Sequence, residues 1–302
     1  MTAIAVLGST NMDLVAYVPK APRLGETVTG RDFRTVPGGK GANQAVAAAR
    51  AGASVTMIGA VGTDEFGTRL RAALRTAGVG TEGLRTVEGA SGTAHITVDD
   101  EGGNSIIVIP GANARVTGLE PGDEQRIAAA RALLLQLEVP MDAVLAGARA
   151  AREHGVRTVL TPAPAQPLPP ELLAVTDLLV PNEHEAAALT GLTDPRQAAE
   201  ALLQQVPEVV VTLGAAGALY AARGAREPLT VPAPPVRAVD TTAAGDTFAG
   251  ALATALGEGR PVPQALEWAS AAAALSVLRP GAQDSMPVRA QIDAFLAERS
   301  GA

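Results

Sequence analysis

The chain has 302 residues and a formal net charge of −7, and 47% of its residues are hydrophobic although only 2% are aromatic. An acidic chain without lysine- and arginine-rich runs is not expected to bind nucleic acid, and a chain without cysteine holds neither a disulfide framework nor a cysteine nucleophile. The N-terminus lacks the basic region of a signal peptide, and no apolar run approaches the roughly 18–20 residues of a membrane span. We therefore expect a soluble, cytoplasmic protein that does not bind membranes.

Short apolar runs predict buried strands, and helical patterns lie between and after them. The predicted strands are Ile4–Leu7, Val55–Ala60, Leu133–Leu137, Arg157–Leu160, Leu178–Val180 and Val209–Leu213. The predicted helices are Ala42–Ala51, Phe66–Ala77, Met141–His154, Glu183–Thr190, Pro195–Gln205, Gly245–Leu256 and Pro263–Leu278. This alternation predicts an α/β fold with a mainly parallel sheet that helices cover on both faces.

Two stretches interrupt the alternation, namely Asp13–Val36 and Ser91–Pro110. Both contain short runs of alternating apolar and polar residues that favour β-strands, with turn signals at residues 23–25 and 101–104. The second stretch predicts a hairpin, and the two together predict a small accessory sheet beside the main domain. Ordinary surface hairpins are the alternative that the pattern leaves open.

A glycine-rich segment, residues 37–44 (PGGKGANQ), precedes an alanine-rich helical pattern. Glycines let the backbone approach a ligand closely, and a helix N-terminus offers unpaired N–H groups. The segment is not a Walker A loop, because Gly41 follows Lys40 where Ser or Thr is needed, and it is not a dinucleotide fingerprint, because Gln44 replaces the third glycine. A ligand-binding loop and a plain glycine turn with an exposed lysine both remain open.

Residues 240–250 (DTTAAGDTFAG) open another predicted helix. An Ala-Ala-Gly turn at a helix start directs successive N–H groups outward and forms an anion-binding nest. Asp246 would lie in the first helical turn beside it. A carboxylate next to an anion hole suits phosphoryl transfer, which needs a base for the attacking hydroxyl and donors for the phosphoryl oxygens. The alternative is that Asp246 only complements the helix dipole.

Two weaker segments follow predicted strands, residues 181–185 (PNEHE) and 212–217 (TLGAAG). Asn182 could be a simple helix cap with Glu185 three residues later, and the second segment could be an ordinary glycine turn. The three histidines share no metal-ligand spacing, and no serine lies in a nucleophile elbow.

Five motifs occur in one order along the chain. They are Asn11-x-Asp13, Gly38-Gly-Lys-Gly-Ala-Asn43, Asn182-x-x-Glu185, Thr212-x-Gly-x-x-Gly217 and Asp240-Thr-x-Ala-Ala-Gly-Asp246. In this order they resemble the ribokinase/phosphofructokinase-B family of sugar kinases, and the resemblance runs from about residue 3 to residue 296. One such motif is weak evidence, whereas five in order at appropriate separations are specific.

The resemblance implies a three-layer α/β/α, doubly wound domain with a small β-sheet lid. Residues 1–12, 37–90 and 111–302 would form the core that binds nucleotide and sugar at the carboxyl ends of the strands. Residues 13–36 and 91–110 would form the lid, which covers the sugar and pairs with a neighbour's lid in a homodimer.

The resemblance also implies roles for individual residues. Asp246 would be the catalytic base, and Ala243, Ala244 and Gly245 would form the anion hole. The residues implied to bind the sugar are Asn11, Asp13, Gly39, Lys40, Gly41, Ala42, Asn43, Glu138 and Asp246. Those implied to bind ATP are Asn182, Thr212, Leu213, Gly214, Ala215, Ala216, Gly217, Gly245, Asp246 and Ser270.

Two cations are implied as well. Asn182 and Glu185 would support Mg²⁺ and the phosphates. A K⁺ ion would bind beside the anion hole, held by Asp240 and the Ser285 hydroxyl together with the carbonyls of Thr242, Ser276, Arg279 and Gly281. All these ligands are hard oxygens, which suit an alkali cation. The alternative is that Asp240 only caps a turn and Ser285 only begins the last helix.

The implied activity is phosphorylation of D-ribose at O5 by ATP, giving D-ribose 5-phosphate for ribose catabolism and the pentose phosphate pathway. A kinase for deoxyribose, a nucleoside or another furanose is the alternative. We favour ribose because the lid segments contain only Tyr17 and Phe33 as aromatic residues that could stack on a base, while Glu138 offers a polar partner for a small sugar. A non-catalytic sugar sensor is a remote alternative, because the base and the anion hole are both present.

Overall fold

The computed structural model describes residues 1–300. The strands in this part of the chain are β1 (Ala3–Leu7), β2 (Asn11–Tyr17), β3 (Asp32–Gly38), β4 (Ser54–Gly62), β5 (Val79–Val87), β6 (Gly92–Val98), β7 (Asn104–Ile109), β8 (Ala132–Leu135), β9 (Arg157–Leu160), β10 (Leu178–Leu179), β11 (Glu208–Thr212), β12 (Ala218–Ala222) and β13 (Leu229–Val231). The α-helices are α1 (Lys40–Arg50), α2 (Glu65–Thr76), α3 (Asp123–Ala128), α4 (Met141–Glu153), α5 (Pro170–Leu173), α6 (Glu183–Thr190), α7 (Pro195–Leu202), α8 (Ala244–Gly257), α9 (Val262–Ser276) and α10 (Arg289–Ser300).

Nine strands form the central sheet in the order β13-β12-β11-β10-β9-β8-β1-β4-β5. Every neighbouring pair from β11 to β5 is parallel, and β12, which pairs antiparallel with both β11 and β13, is the one strand of this sheet within residues 1–300 that runs in the opposite direction. The strand directions reverse nowhere around β1, so the carboxyl ends of β1, β4, β8, β9, β10 and β11 meet at one edge of the sheet. The predicted three-layer α/β/α fold with a mainly parallel sheet is confirmed.

Helices cover both faces of this sheet because alternate side chains of each strand point to opposite sides. In β1, Ile4 and Val6 enter the core cluster that includes α1, α8 and α9, while Ala5 and Leu7 enter the cluster that includes α4 and α7. All four side chains are buried, which explains why this strand reads as a continuous apolar run.

Small residues allow α1 and α8 to pack very closely. A Cβ added to Gly250 of α8 would lie 2.6 Å from the carbonyl oxygen of Gln44 and 2.7 Å from the Cβ of Ala47. Any side chain at position 250 would therefore push the two helices apart. This contact brings the first turn of α8 against the first turn of α1.

The remaining four strands form a separate small sheet in the order β3-β2-β6-β7. β6 and β7 are an antiparallel pair, so the predicted hairpin is confirmed. β2 and β3 pair antiparallel from Asn11↔Gly38 to Tyr17↔Asp32, whereas β2 and β6 pair parallel. The pairing of the first stretch thus begins at residue 11 and ends at residue 38, two residues beyond each predicted end.

Several elements were not predicted from the sequence, including β5, β12 and β13. β5 is an edge strand interrupted by Gly80, Glu82 and Gly83, so it lacks the continuous apolar pattern of the central strands. β12 and β13 are the antiparallel pair at the opposite edge. Among the described residues, no helix combines the length and the apolar character needed to cross a membrane.

Candidate functional site

The glycine-rich segment joins β3 to α1 and requires its glycines for two different reasons. Gly39 has φ +90, and a Cβ there would lie 2.7 Å from the backbone nitrogen of Asn11. A Cβ at Gly41 would lie 2.6 Å from the backbone nitrogen of Ser9. The start of α1 therefore presses against the connection between β1 and β2, and only glycine permits this approach.

The turn places Lys40 among four carboxyl groups. The neighbours that act on its charge are Asp13, Glu138, Glu185 and Asp246. Burial works to lower the pKa of Lys40, but these carboxylates outweigh burial and hold the pKa above its ordinary value. The lysine is therefore a charged residue within the site, and the alternative of an exposed lysine on a plain turn does not hold.

Asp246 lies in the first turn of α8 and is buried. Its Oδ2 accepts a hydrogen bond from Asn43 Nδ2 at 3.1 Å, and its Oδ1 accepts one from Gln44 Nε2 at 3.0 Å. Burial raises the pKa of Asp246, while Lys40 and the two amides act in the opposite direction. A buried carboxylate with a raised pKa and oriented lone pairs is suited to accept a proton.

Asp13 and Glu138 face the same space from β2 and from the segment after β8. Glu138 Oε2 accepts hydrogen bonds from Ser9 Oγ at 2.5 Å and from the N–H of Lys40 at 3.1 Å. Burial, reinforced by Glu138 and Asp246, raises the pKa of Asp13 from 3.8 to about 7, against the opposing charge of Lys40. Converging acceptors of this kind fit a ligand with several hydroxyl groups.

Asn11 is held beside these acceptors by a residue that the sequence analysis did not single out. Its Oδ1 accepts a hydrogen bond from Asn113 Nδ2 at 2.8 Å, and Asn113 also bonds to the backbone of Thr10 through both ends of its amide. This bond fixes the oxygen of Asn11, and its Nδ2 donates no hydrogen bond within the described part of the chain, so the Nδ2 donors are available for a ligand.

The predicted nest at the start of α8 has an unusual backbone. Ala243 has φ +57, the one positive φ at a non-glycine residue within residues 1–300, and such a conformation is strained for an L-residue. The N–H of Ala244 donates to the carbonyl of Thr241 at 3.2 Å, so it is already engaged. The N–H groups of Ala243, Gly245 and Asp246 find no acceptor in the described protein, and the space at Gly245 is open to at least 4 Å.

A cleft of about 460 Å³ adjoins this nest. Six of the residues assigned to ATP line it, namely Thr212, Gly214, Ala215, Gly217, Gly245 and Ser270. The other four, Leu213, Ala216, Asn182 and Asp246, do not line the cleft, although Asn182 forms a parallel bridge with Thr212. The buried Ser270 Oγ has no hydrogen-bond partner, which is consistent with a polar partner supplied by a ligand.

The sequence analysis did not identify most of the apolar lining of this cleft. Besides the residues assigned to ATP and Ala244 of the predicted anion hole, the lining comprises Ala233, Pro234, Pro235, Val236, Ala238, Thr241, Phe248, Ala273, Ala274 and Val277. They come from the proline-rich segment before α8 and from α8 and α9, and they carry no chemical signature of their own. A mainly apolar slot beside an anion nest fits a flat base attached to phosphates.

Asn182 and Glu185 form a complete capping box on α6. Asn182 Oδ1 accepts from the N–H of Glu185 at 2.8 Å, and Glu185 Oε2 accepts from the N–H of Asn182 at 2.9 Å. Burial raises the pKa of Glu185, although the Asn182 N–H and Lys40 oppose it. Glu185 therefore does act as a capping residue. The cap engages only Oε2, so Oε1 accepts no hydrogen bond from the residues that the structure describes, and Lys40 and Asp246 act on the charge of this carboxyl.

Asp240 connects the two loops that were assigned to a cation. Its Oδ1 accepts from the N–H and hydroxyl of Thr242 at 2.9 and 2.6 Å, and its Oδ2 accepts from the N–H of Gly281 at 2.8 Å. Partial burial acts to raise the pKa of Asp240, but the bonds from Gly281 and Thr242 hold it below its ordinary value. Ser285 Oγ donates to the carbonyl of Ala282 at 2.8 Å, and Arg279 N–H donates to the Ser276 carbonyl at 3.4 Å.

Comparison with known proteins gives a consistent result. A family model described as "pfkB family carbohydrate kinase" matches residues 1–289. A ribokinase of Bacillus subtilis is 44% identical over 299 residues, covering 98% of this chain and 100% of that protein. The structure of Arabidopsis thaliana ribokinase complexed with ribose and ATP is similar with a TM-score of 0.92 at 34% identity, covering 98% of this chain and 99% of that one. A deoxyribokinase of Salmonella typhi is 37% identical, covering 97% of this chain and 98% of that protein.

Proposed function

The chain belongs to the pfkB family of carbohydrate kinases and is an ATP-dependent sugar kinase, and from this premise we propose that it phosphorylates D-ribose at O5 to give D-ribose 5-phosphate. The observation that carries the proposal is the position of Asp246. Its carboxylate interacts electrostatically with the acceptors Asp13 and Glu138, and it lies in the first turn of α8, directly after Gly245, which lines the apolar cleft.

Each side of this arrangement has a role in the proposed reaction. Asp13, Glu138 and the free donors of Asn11 would hold the sugar hydroxyls and direct O5 toward Asp246. Asp246 would accept the O5 proton as the oxygen attacks the γ-phosphorus, with ADP as the leaving group. The unengaged N–H groups of Gly245 and Asp246 would stabilise the charge that develops on the transferring phosphoryl group.

Lys40 would offset part of the charge that the reaction concentrates here. Four carboxyl groups act on it, and a phosphoryl group would add further negative charge. A lysine that stays protonated in this setting lowers the electrostatic cost of bringing ATP to a carboxylate-rich site.

Mg²⁺ fits the site as a companion of the nucleotide. Within residues 1–300, no three His, Cys, Asp or Glu side chains form a cluster suited to a metal ion. Mg²⁺ commonly binds one or two carboxylates together with substrate phosphates and waters, and Glu185 can supply such a carboxylate through Oε1. Bound Mg²⁺ would neutralise phosphate charge.

K⁺ fits the two loops that Asp240 joins. Asp240 remains ionised, and the N–H of Gly281 places the second loop within hydrogen-bond distance of it. The carbonyls of Thr242, Ser276, Arg279 and Gly281 and the hydroxyl of Ser285 would complete a set of hard oxygen ligands. A cation there would stiffen the backbone that leads into the nest.

The small sheet supports a sugar rather than a nucleoside as the acceptor. Its aromatic residues in the proposed lid segments are Tyr17, whose ring lies 5.3 Å from the Arg34 guanidinium, and Phe33, which is 60% exposed. β2 contributes Asp13, whose carboxyl interacts with Glu138 and Asp246, to the acceptor cluster. A site built on carboxylates selects hydroxyl groups over an apolar base.

A coupled kinase assay over pentoses, hexoses and nucleosides tests the proposal. We expect the highest kcat/KM for D-ribose and a value at least about tenfold lower for 2-deoxyribose, because a site that binds a hydroxyl loses that interaction with the analogue. A higher kcat/KM for deoxyribose or for any nucleoside would contradict the assignment of ribose while leaving sugar phosphorylation intact.

A further inference from the structure

Each oxygen of the Asp246 carboxylate is oriented by a chain of two amides. On one side, Gln283 Nε2 donates to Asn43 Oδ1 at 3.2 Å, and Asn43 Nδ2 donates to Asp246 Oδ2 at 3.1 Å. On the other side, Gln136 Nε2 donates to Gln44 Oε1 at 2.6 Å, and Gln44 Nε2 donates to Asp246 Oδ1 at 3.0 Å. All four amide residues are buried.

The outer amides decide which end of each inner amide faces the carboxylate. An ionised carboxylate only accepts hydrogen bonds, so an inner amide that turned its oxygen toward Asp246 would repel it. A donor to the oxygen of Asn43 or Gln44 removes this alternative, because turning the amide would then place two NH₂ groups against each other. Gln283 and Gln136 thus fix the orientation of the Asn43 and Gln44 side-chain amides.

The Gln136–Gln44 hydrogen bond is formed although it leaves another polar atom of Gln136 unpaired and requires glycine at position 8. Gln136 Oε1 is buried without a hydrogen-bond partner, a state that normally costs free energy. A Cβ at position 8 would lie 2.0 Å from this oxygen, so Gly8 is needed to admit the side chain. These features indicate that the hydrogen bond to Gln44 determines the orientation of Gln136, because this orientation leaves Gln136 Oε1 without a hydrogen-bond partner.

We propose that Gln283 and Gln136 are positioning residues that hold the base Asp246 in its proton-accepting orientation through Asn43 and Gln44. The inference rests on the proposed role of Asp246 in sugar phosphorylation. Gln283 also lies two residues from Gly281, whose N–H donates a hydrogen bond to Asp240. One loop therefore contacts both the segment that leads into the nest and the amide that orients the base.

Other charged groups also act on Asp246 and must remain unchanged in a test. They are Lys40 at the start of α1, Asp13 on β2, Glu138 after β8 and Glu185 on α6. Gln283→Met leaves all of them in place and keeps nearly the same side-chain volume while removing the donor. Asp284→Asn, at the exposed neighbouring position, is the matched control because it changes the same loop without entering the amide chain.

The first measurement is the titration of Asp246 in the ligand-free protein, by ¹³C NMR of carboxyl-labelled aspartate assigned with Asp246→Asn. We expect Gln283→Met to move this titration to higher pH, because Asn43 no longer presents its N–H group reliably to the carboxylate. Asp284→Asn should leave it unchanged. An unchanged titration in Gln283→Met would overturn the proposal, and this readout does not depend on which substrate the enzyme uses.

The second measurement is the pH profile of kcat with saturating sugar and ATP. Gln283→Met should lower kcat by about tenfold, within the range that misplacement of a catalytic group produces, and move the acid limb to higher pH with the KM for ATP unchanged. Adding Gln283→Met to Asn43→Ala should change nothing further, because the two residues act in series. A lower melting temperature with normal kcat, or additive effects in the double variant, would make Gln283 a structural residue only.

The proposed function and this inference fail in different ways. If the wild-type protein phosphorylates no sugar, the proposed function is wrong, while the NMR titration still reports whether Gln283 controls the Asp246 carboxyl. If the wild-type protein phosphorylates ribose but Gln283→Met matches it in titration and kcat, only the inference is wrong.

Discussion

Asp246 shows how burial and hydrogen bonding together prepare one side chain for proton transfer. Burial disfavours its charged form and raises its pKa, whereas the Asn43 and Gln44 amides and the charge of Lys40 favour the ionised form. The balance keeps the carboxyl available as an acceptor and also makes it more basic than an exposed aspartate.

Asp246→Asn tests this role directly. The amide keeps the size and the helical position of the side chain but cannot accept the sugar proton, so kcat should fall by about 10²–10⁴-fold. Binding of ATP, measured by calorimetry, should persist. A variant with near-wild-type kcat would show that Asp246 is not the base.

Asp13 predicts a pH dependence of stability. Its pKa is about 7 in the folded protein instead of 3.8, so between these values the folded state holds a proton that the unfolded chain has lost. The contribution of Asp13 therefore becomes less favourable as the pH rises through this range. Asp13→Asn should raise the melting temperature of the ligand-free protein more at pH 8 than at pH 5.

The matched control for this measurement is Asp284→Asn, which removes a carboxyl at an exposed position. Its melting temperature should differ from wild type by a similar small amount at both pH values. If Asp13→Asn is no more stabilising at pH 8 than at pH 5, the carboxyl is not held in its neutral form by the fold.

At the scale of the elements, turns determine where these side chains lie. The glycine-rich turn positions the start of α1 against β1 and β2, and the left-handed Ala243 begins α8 with open N–H groups. The residues of these turns were visible in the sequence because a glycine-rich segment before a predicted helix is a local pattern, and the order of the five motifs made it specific. Asn113, Gln136 and Gln283 were not singled out, and Gln44 was named only as the residue that replaces a fingerprint glycine, because a glutamine or asparagine gives no indication of the distant residue that it will contact.

The division of the chain into a core and a lid remains a prediction at this scale. The strands of the small sheet carry Asn11 and Asp13 at one end, so closure over a bound sugar would shield the site from water. Amide hydrogen exchange in residues 13–36 and 91–110 should slow when saturating ribose is added. Unchanged exchange would indicate that these strands are passive, and residues 141–153 of α4 provide the internal reference.

The two loops joined by Asp240 predict activation by K⁺. At fixed ionic strength, kcat/KM should be higher in K⁺ than in Na⁺ or tetramethylammonium, because a bound cation would order the backbone that leads into the nest. Asp240→Asn should reduce the difference among the three salts. Equal kcat/KM in all three salts, together with an unchanged kcat/KM in Asp240→Asn, would exclude a cation site between these loops.

The whole molecule presents one exposed apolar edge that favours self-association. β7 is an edge strand of the small sheet, and Ile106, Ile107, Val108 and Ile109 are 54%, 65%, 43% and 49% exposed. Unprotected apolar edge strands are usually covered by another chain. We therefore propose a homodimer through the small sheets, as the family resemblance also implies.

Light scattering coupled to size-exclusion chromatography tests this proposal. The wild-type chain should elute with twice the mass of the monomer, and Ile107→Lys should shift it toward the monomer because a buried lysine opposes the pairing. Leu278→Lys, at an exposed apolar position at the end of α9, should leave the mass unchanged. A monomeric wild-type protein would contradict the dimer.

The sequence by itself determined the α/β class and the chemical residues of the five motifs, because periodicity, glycine turns and carboxylates near helix starts are local properties of the chain. It predicted the small accessory sheet but left surface hairpins as an alternative. The sequence could not show that residues of the segment 233–238 line the cleft, nor which amides orient Asp246. The hydrogen bonds among these amides join positions up to 240 residues apart, and the bonds from Asn43 and Gln44 to Asp246 require the close approach of α8 to α1 that Gly250 permits. The tertiary structure alone decided that Gln44 and Gln283 belong to the site, since burial and partners follow from packing and not from residue type.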